Sequence, residues 1–225
     1  MKVAPELTAC ALIPAYNEAA RITETIHAVE QLPVSQILVV DDGSTDHTAA
    51  LAHRAGAEVL TLPRNQGKGA AIQAGLARVT SDLVLLLDAD LGSSACLAQE
   101  LLVPVCSNRC DIAVAVFAVS QQRGGGLGLT IGLARWGVRY LTGQAFHAPL
   151  SGQRALRTET LQRLLPLPRD FGFEVGLTLK ALRAGYRVEE VLLPLHHRVT
   201  GRSARDVWHR GCQFYQVGKA LLTCR

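Results

Sequence analysis

The chain has 225 residues, 48% of them apolar, enough for one large domain with a substantial core, and no stretch approaches the roughly 18–20 uninterrupted apolar residues of a membrane span. Its net charge of +4 divides unevenly: residues 1–120 carry 7 Lys/Arg against 13 Asp/Glu, a balance of −6, and residues 121–225 carry 16 against 6, a balance of +10. An acidic first half suits a divalent cation and a basic second half an anionic partner, unless the two are simply solvated faces of unlike sign.

The opening residues MKVAPELTAC lack a charged region followed by an apolar stretch, so the expected location is the cytoplasm, with contact at the inner membrane face left open. Six cysteines include no CxxC pair and read as reduced structural thiols.

In chain order, the apolar runs predict a strand over Thr8–Ile13, a helix over Glu18–Leu32 and a strand over Ile37–Val40. A helix over Asp46–Ala55 follows, with Ser44 or Thr45 as its N-cap and Gly56 as its stop. Next come a strand (Glu58–Leu62), a helix (Ala70–Val79), a strand (Leu83–Leu87), a helix (Ser94–Val103) and a strand (Ile112–Val119). This alternation predicts an α/β fold with a mainly parallel sheet and helices on both faces. Gln121–Thr130, with four glycines, reads as a lid or a linker. Beyond it the expectation is a helix (Ile131–Leu141), an extended piece (Gly152–Leu156), helices at Thr158–Leu164 and Phe173–Arg183, a strand (Arg187–Leu195) and a terminal helix from Ala204.

Two strands end in carboxylates. I-L-V-V-D-D-G-S-T-D places Asp41 and Asp42 at the tip of a buried strand, where open α/β sheets hold ligands, and L-L-D-A-D-L places Asp88 and Asp90 at the tip of another. Paired hard oxygens of this kind suit Mg²⁺ or Mn²⁺ completed by phosphate oxygens. The G-K-G of residues 67–69 lacks the spacing of a P-loop, and G-G-G-L-G does not fit a dinucleotide fingerprint.

Four motifs, I-P-A-Y-N-E (Ile13–Glu18), V-V-D-D-G-S-T-D (Val39–Asp46), N-Q-G-K-G-A-A-I-Q-A-G (Asn65–Gly75) and L-L-D-A-D-L (Leu86–Leu91), stand in the order and spacing of family 2 nucleotide-sugar glycosyltransferases with the GT-A fold, which the first 120 residues resemble closely. The resemblance implies a nucleotide-sugar-binding half over 1–120 and an acceptor-side half over 121–225 of the same domain. It places Pro14, Ala15, Tyr16 and Glu18 against the nucleotide and gives a base-reading carboxylate to one of Asp41 and Asp42, the other capping the next helix. It sets Arg64, Asn65, Gly67 and Lys68 at phosphate or sugar, with Asp88 and Ala89, and gives the metal to Asp88 and Asp90.

In the second half, Arg123, the glycine loop and L-S-G-Q-R-A-L-R (Leu150–Arg157) resemble the polyprenyl-phosphate branch, whose corresponding stretch is S-G-F-R-A. Gln153 stands where that branch has an aromatic and Ala148 where it often has an Asp. The resemblance offers Arg123 and Arg154 to an anionic acceptor, Glu174 as general base for a hydroxyl acceptor or as a carboxylate favoured by a helix N-terminus, and His197 as third metal ligand. Val207, Gly211, Phe214, Gly218 and Leu221 recur at helical spacing, for packing on the domain or for lying on an anionic membrane. The reading is therefore a metal-dependent hexosyltransferase using a UDP- or GDP-linked sugar and no nucleic acid. Its alternatives are a phosphorylated glycerate as acceptor, a nucleotidyltransferase, disfavoured because the N-terminus lacks a glycine-rich basic loop, or a non-catalytic nucleotide-sugar-binding module.

Overall fold

The computed structural model describes residues 7–117, 127–194 and 204–224, with the backbone alone at Phe117, Leu127 and 204–210. Seven strands form one sheet in the order β3-β2-β1-β4-β6-β5-β7: β1 (Ala9–Ala15), β2 (Gln36–Asp41), β3 (Glu58–Thr61), β4 (Leu83–Leu86), β5 (Ile112–Phe117), β6 (Arg154–Arg157) and β7 (Val188–Leu193). All pairings are parallel except those of β6, which runs antiparallel to both β4 and β5. The two halves of the chain therefore share one sheet.

The central strands are apolar on both faces, as burial between two helical layers requires. Along β1, Ala11 and Ile13 join Val39 and Leu85 in one core, while Cys10 and Leu12 join Leu38, Val84 and Leu86 in the other. The first core is closed by α1 (Ile22–Val29), through Ile22, Ile26 and Val29, and by α2 (Thr48–Arg54). The second is closed by α3 (Lys68–Leu76), α5 (Leu127–Thr142), α6 (Thr158–Leu164), α7 (Phe173–Arg183) and α8 (Ala204–Thr223). Burial raises the Cys10 thiol to about 12, as befits an unreactive core residue.

Three local expectations are corrected. The helix expected at Ser94–Val103 is a 3₁₀ helix over Gly92–Leu101, running into a short α4 (Leu102–Cys106). Its buried residues Gly92, Ala95, Ala98 and Leu101 recur every third position, the period of a 3₁₀ helix. α1 begins at Ile22 rather than Glu18, and in the turn before it the Glu18 and Ala19 N–H groups donate to Thr48 Oγ1 and Asp46 Oδ2. Ser44 and Thr45 do not cap α2, whose N-cap is His47. Instead, Asn17 N donates to Ser44 Oγ and Thr45 N donates to Asn17 Oδ1, so G-S-T-D fastens the loop after β1.

β1 lies between β2 and β4, so the chain winds outward through β2 and β3 and then returns to the other side of β1. The C-terminal ends of β1 and β4 flank this reversal, the place where open α/β sheets open a crevice.

Candidate active site

A cavity of about 740 Å³ opens at that place. Its wall gathers Pro14, Ala15, Tyr16 and Glu18 from the loop after β1, Asp42 after β2, Asn65, Gly67 and Lys68 at the start of α3, and Asp88, Ala89 and Asp90 after β4. Glu174 in the first turn of α7 joins them, with Thr130 of α5, Leu150, Phe171, and Gln213 and Val217 of α8. Four motifs far apart in sequence thus meet in one crevice. Arg64 and Asp41 are not on its wall, Arg154 lies behind it, and Arg123 and His197 fall outside the described residues.

The two carboxylates at the end of β2 divide their work. Asp42 accepts the N–H groups of Gln66 and Gly67, both at 2.8 Å, so it caps the loop leading into α3. Those two backbone amides are therefore occupied by a side chain of the chain itself. The glycines there serve another purpose: a Cβ at Gly67 would sit 2.6 Å from the Arg169 carbonyl, and Gly69 is pressed against Pro168 and Phe173. Asp41 is buried, and its Oδ1 meets no partner among the described residues. A buried carboxylate oxygen of this kind calls for a donor.

Lys68 is the hub of the floor. Its Nζ lies 2.6 Å from Asp88 Oδ1 and 2.7 Å from Glu174 Oε1. Desolvation disfavours the ammonium, but Asp88 and Glu174 outweigh it and hold the lysine pKa well above its ordinary value. On the far side, Gln153 Nε2 donates to Asp88 Oδ2 at 2.5 Å.

Arg154, expected at an acceptor phosphate, is 1% exposed. Its Nε donates to the Ser151 carbonyl, Nη1 to Thr178 Oγ1 and Nη2 to the Pro149 carbonyl, at 2.9, 2.9 and 3.0 Å. Desolvation lowers its pKa to about 10, against the pull of Glu174 and Glu190, so it remains a cation at neutral pH. Its role here is structural: it ties the segment before β6 to α7. The sequence did not single out Gly152 and Gln153 as site residues; the only signal was a glycine followed by a polar side chain where the resembled branch has an aromatic.

A glycosyl transferase family 2 model matches residues 10–158. The chain belongs to that family. Glycosyltransferase AglJ of Haloferax volcanii is 30% identical over 200 residues, covering 85% of this chain and 64% of its own length. An undecaprenyl-phosphate 4-deoxy-4-formamido-L-arabinose transferase of Sodalis glossinidius is 45% identical over 91 residues, covering 36% of this chain and 28% of its own. The chain thus spans less than two thirds of these curated relatives. Among solved structures, glucosyl-3-phosphoglycerate synthase of Mycobacterium tuberculosis, in complex with Mn²⁺, UDP and glucosyl-3-phosphoglycerate, superposes with a TM-score of 0.83 at 28% identity, covering 97% of this chain and 80% of that one. A Mg²⁺–UDP complex of the same synthase gives 0.78. The fold is that of GT-A glycosyltransferases, α/β with a mostly parallel sheet.

The residues present fit a divalent cation in the chemistry of their donors. Among the described wall residues, Glu18, Asp42, Asp88, Asp90 and Glu174 are acidic and Lys68 is the one cation. A diphosphate meets strong repulsion at such a wall unless a cation accompanies it. No group of three or more His, Cys, Asp or Glu among the described residues forms a complete metal site.

Proposed function

We propose that the chain is a glycosyltransferase that takes a nucleoside diphosphate sugar with Mg²⁺ or Mn²⁺ and passes the sugar to an anionic acceptor, a polyprenyl phosphate. The observation that carries this reading is the cavity at the β1/β4 reversal, where the base-side loop, the Asp88–Asp90 pair and Lys68 converge. Pro14 to Glu18 take the nucleotide, and Asp41, although buried and off the cavity wall, offers its unpartnered oxygen to a ring N–H of a base that displaces the side chains covering it. Asp88 and Asp90 hold the cation, with His197 as the third ligand in this reading. The cation, when bound, neutralises the diphosphate leaving group.

Lys68 presents a fixed ammonium to the donor, because two of its three N–H groups are anchored on Asp88 and Glu174. Glu174 thereby acts first as an anchor of Lys68. An ionised phosphate acceptor needs no general base, which suits a carboxylate already engaged in this way. Arg123 remains the acceptor-side cation of this reading, in place of Arg154.

Support for a lipid acceptor comes from the helices bordering the cavity. α5 presents Leu129, Trp136 and Tyr140 to solvent, 75%, 62% and 71% exposed, and α8 presents Phe214, Tyr215 and Leu222. Thr130 and Gln213 of the same helices line the cavity. Among the described residues no helix is long and apolar enough to cross a membrane, so this surface would meet a bilayer from one side. The second reading, a phosphoglycerate acceptor, is favoured by the likeness to glucosyl-3-phosphoglycerate synthase over 97% of the chain.

The test is release of UDP or GDP from a panel of nucleotide sugars with Mn²⁺, supplied either with undecaprenyl phosphate in detergent or with 3-phosphoglycerate. Release with the lipid alone supports the first reading and release with phosphoglycerate alone the second. Binding of nucleotide without turnover on either acceptor would reduce the protein to a binding module.

A further inference from the structure

We infer that Gln153 is a positioning residue of the site: from behind the cavity wall its side-chain amide fixes the carboxylate of Asp88 and, through it, the ammonium of Lys68. Gln153 is 0% exposed and does not line the cavity, so a direct ligand contact is not its role. Its Nε2 donates to Asp88 Oδ2 at 2.5 Å while Ser151 Oγ donates to its Oε1 at 3.3 Å, which determines the end of the amide that faces the carboxylate. Donors therefore hold both oxygens of Asp88, Lys68 on one and Gln153 on the other.

The backbone under Gln153 is equally fixed. Its carbonyl accepts Ala115 N at 3.0 Å, and Arg154, next in the chain, ties back to the Ser151 carbonyl. Gly152 completes the arrangement. A Cβ there would stand 2.7 and 2.8 Å from the two Asp88 oxygens and would collide with Lys68 Nζ, so Ser151-Gly152-Gln153 lies directly against the ion pair. A phenylalanine at position 153 would offer no N–H to Asp88. This chain thus has a means of orienting the carboxylate that an aromatic residue lacks, and a charge-assisted bond at 2.5 Å is among the stronger ones available. In the reading given above Asp88 and Lys68 meet the leaving diphosphate, so the consequence is expected in the chemical step.

The inference rests on the reading given above only for its kinetic arm. The first arm needs no ligand: in ¹⁵N-lysine-labelled protein, whose sequence holds four lysines, the Lys68 ammonium is assigned by its loss in Lys68→Arg. Gln153→Met, which keeps length and removes the donor, should shift or broaden that signal. In the second arm, with the nucleotide sugar that supports UDP or GDP release, Gln153→Met should lower kcat about tenfold or more while the donor KM changes less than about threefold. Should Gln153→Met not fold, Gln153→Leu, also without a donor and with no charge to bury beside Asp88, carries the same expectations. A folded variant with an unchanged Lys68 signal and unchanged kcat overturns the inference, even if its Tm has dropped. So does a rise in KM with kcat intact. A wild type without donor turnover defeats the proposed function and leaves the ammonium spectrum to decide this point alone.

Discussion

The ammonium of Lys68 at the start of α3 lies 2.7 Å from the carboxylate of Glu174 in the first turn of α7, joining a residue of the acidic half to one of the basic half across the cavity floor. Removing one member of a buried pair leaves the other uncompensated, so Lys68→Met should destabilise the protein by about 3 kcal/mol. The sign of its pH dependence follows from the raised lysine pKa. A group whose folded pKa lies above its ordinary 10.5 contributes fully below 10.5 and loses its contribution as pH rises beyond. Denaturant unfolding of wild type and Lys68→Met should therefore differ by a constant amount from neutral pH to about pH 10 and converge above it.

Asp41 and Asp42 adjoin in sequence but should respond differently to substitution. Asp42→Asn puts an amide where two backbone N–H groups now point, so it should lower stability by about 1–3 kcal/mol, read as a fall in Tm. Asp41→Asn should leave Tm close to wild type and weaken UDP or GDP binding about tenfold in calorimetry. Equal nucleotide affinity in Asp41→Asn and wild type would remove Asp41 from the base site.

How much of this was legible in the sequence depends on the range of the interaction. The alternation of strands and helices could be read because each strand carries its own apolar run, and the crevice because four motifs each ended or followed such a run. The Asp42 bonds to Gln66 and Gly67 could not be read, since the pattern that marks a ligand-binding carboxylate also marks a cap. The 3₁₀ helix at Gly92–Leu101 was hidden because short spacings of three are common to both helix types. Arg154 misled for a different reason. The resemblance offered it to an anionic acceptor, whereas its burial is decided by Thr178 and the Pro149 carbonyl, which only the fold brings to it.

Arg154→Met should accordingly report on stability rather than on acceptor affinity. The substitution leaves the Ser151 and Pro149 carbonyls and the Thr178 hydroxyl without their donor, at a cost of about 2–4 kcal/mol. For a chain of this size that is a fall in Tm of roughly 4–16 °C. Loss of acceptor turnover without any fall in Tm would return Arg154 to the acceptor site.

Asp90 supplies the test of the cation. It lines the cavity from the end of β4, where truncation removes no core packing. Asp90→Ala should therefore remain folded and lose the part of UDP binding that Mn²⁺ adds to wild type. If a hundredfold excess over Kd stabilises wild type by about 2.7 kcal/mol, the variant should show almost none of that Mn²⁺-dependent gain. An unchanged gain would place the cation on other residues.

The outer face of α5 makes the last prediction. Leu129, Trp136 and Tyr140 recur on one side of the helix, Trp136 stacking on Tyr140 at 5.3 Å between ring centroids, and the exposed Arg135 and Arg139 flank them. An aromatic stripe beside arginines suits an anionic bilayer surface, the aromatics entering the interface while the cations meet headgroups. Wild type should co-sediment with phosphatidylcholine vesicles containing phosphatidylglycerol and much less with phosphatidylcholine alone. At about 1 kcal/mol for each basic residue near such a surface, the double variant Arg135→Gln, Arg139→Gln should bind roughly thirtyfold more weakly, with UDP affinity unaltered. Trp136→Ala with Tyr140→Ala should weaken binding to both kinds of vesicle, because it removes the apolar contribution. Equal binding by all three proteins would leave the lipid acceptor without a docking surface and shift the weight of the reading to phosphoglycerate. Concentration-dependent dimerisation lost in Trp136→Ala, without vesicle binding, would show instead that the stripe joins two copies of the chain.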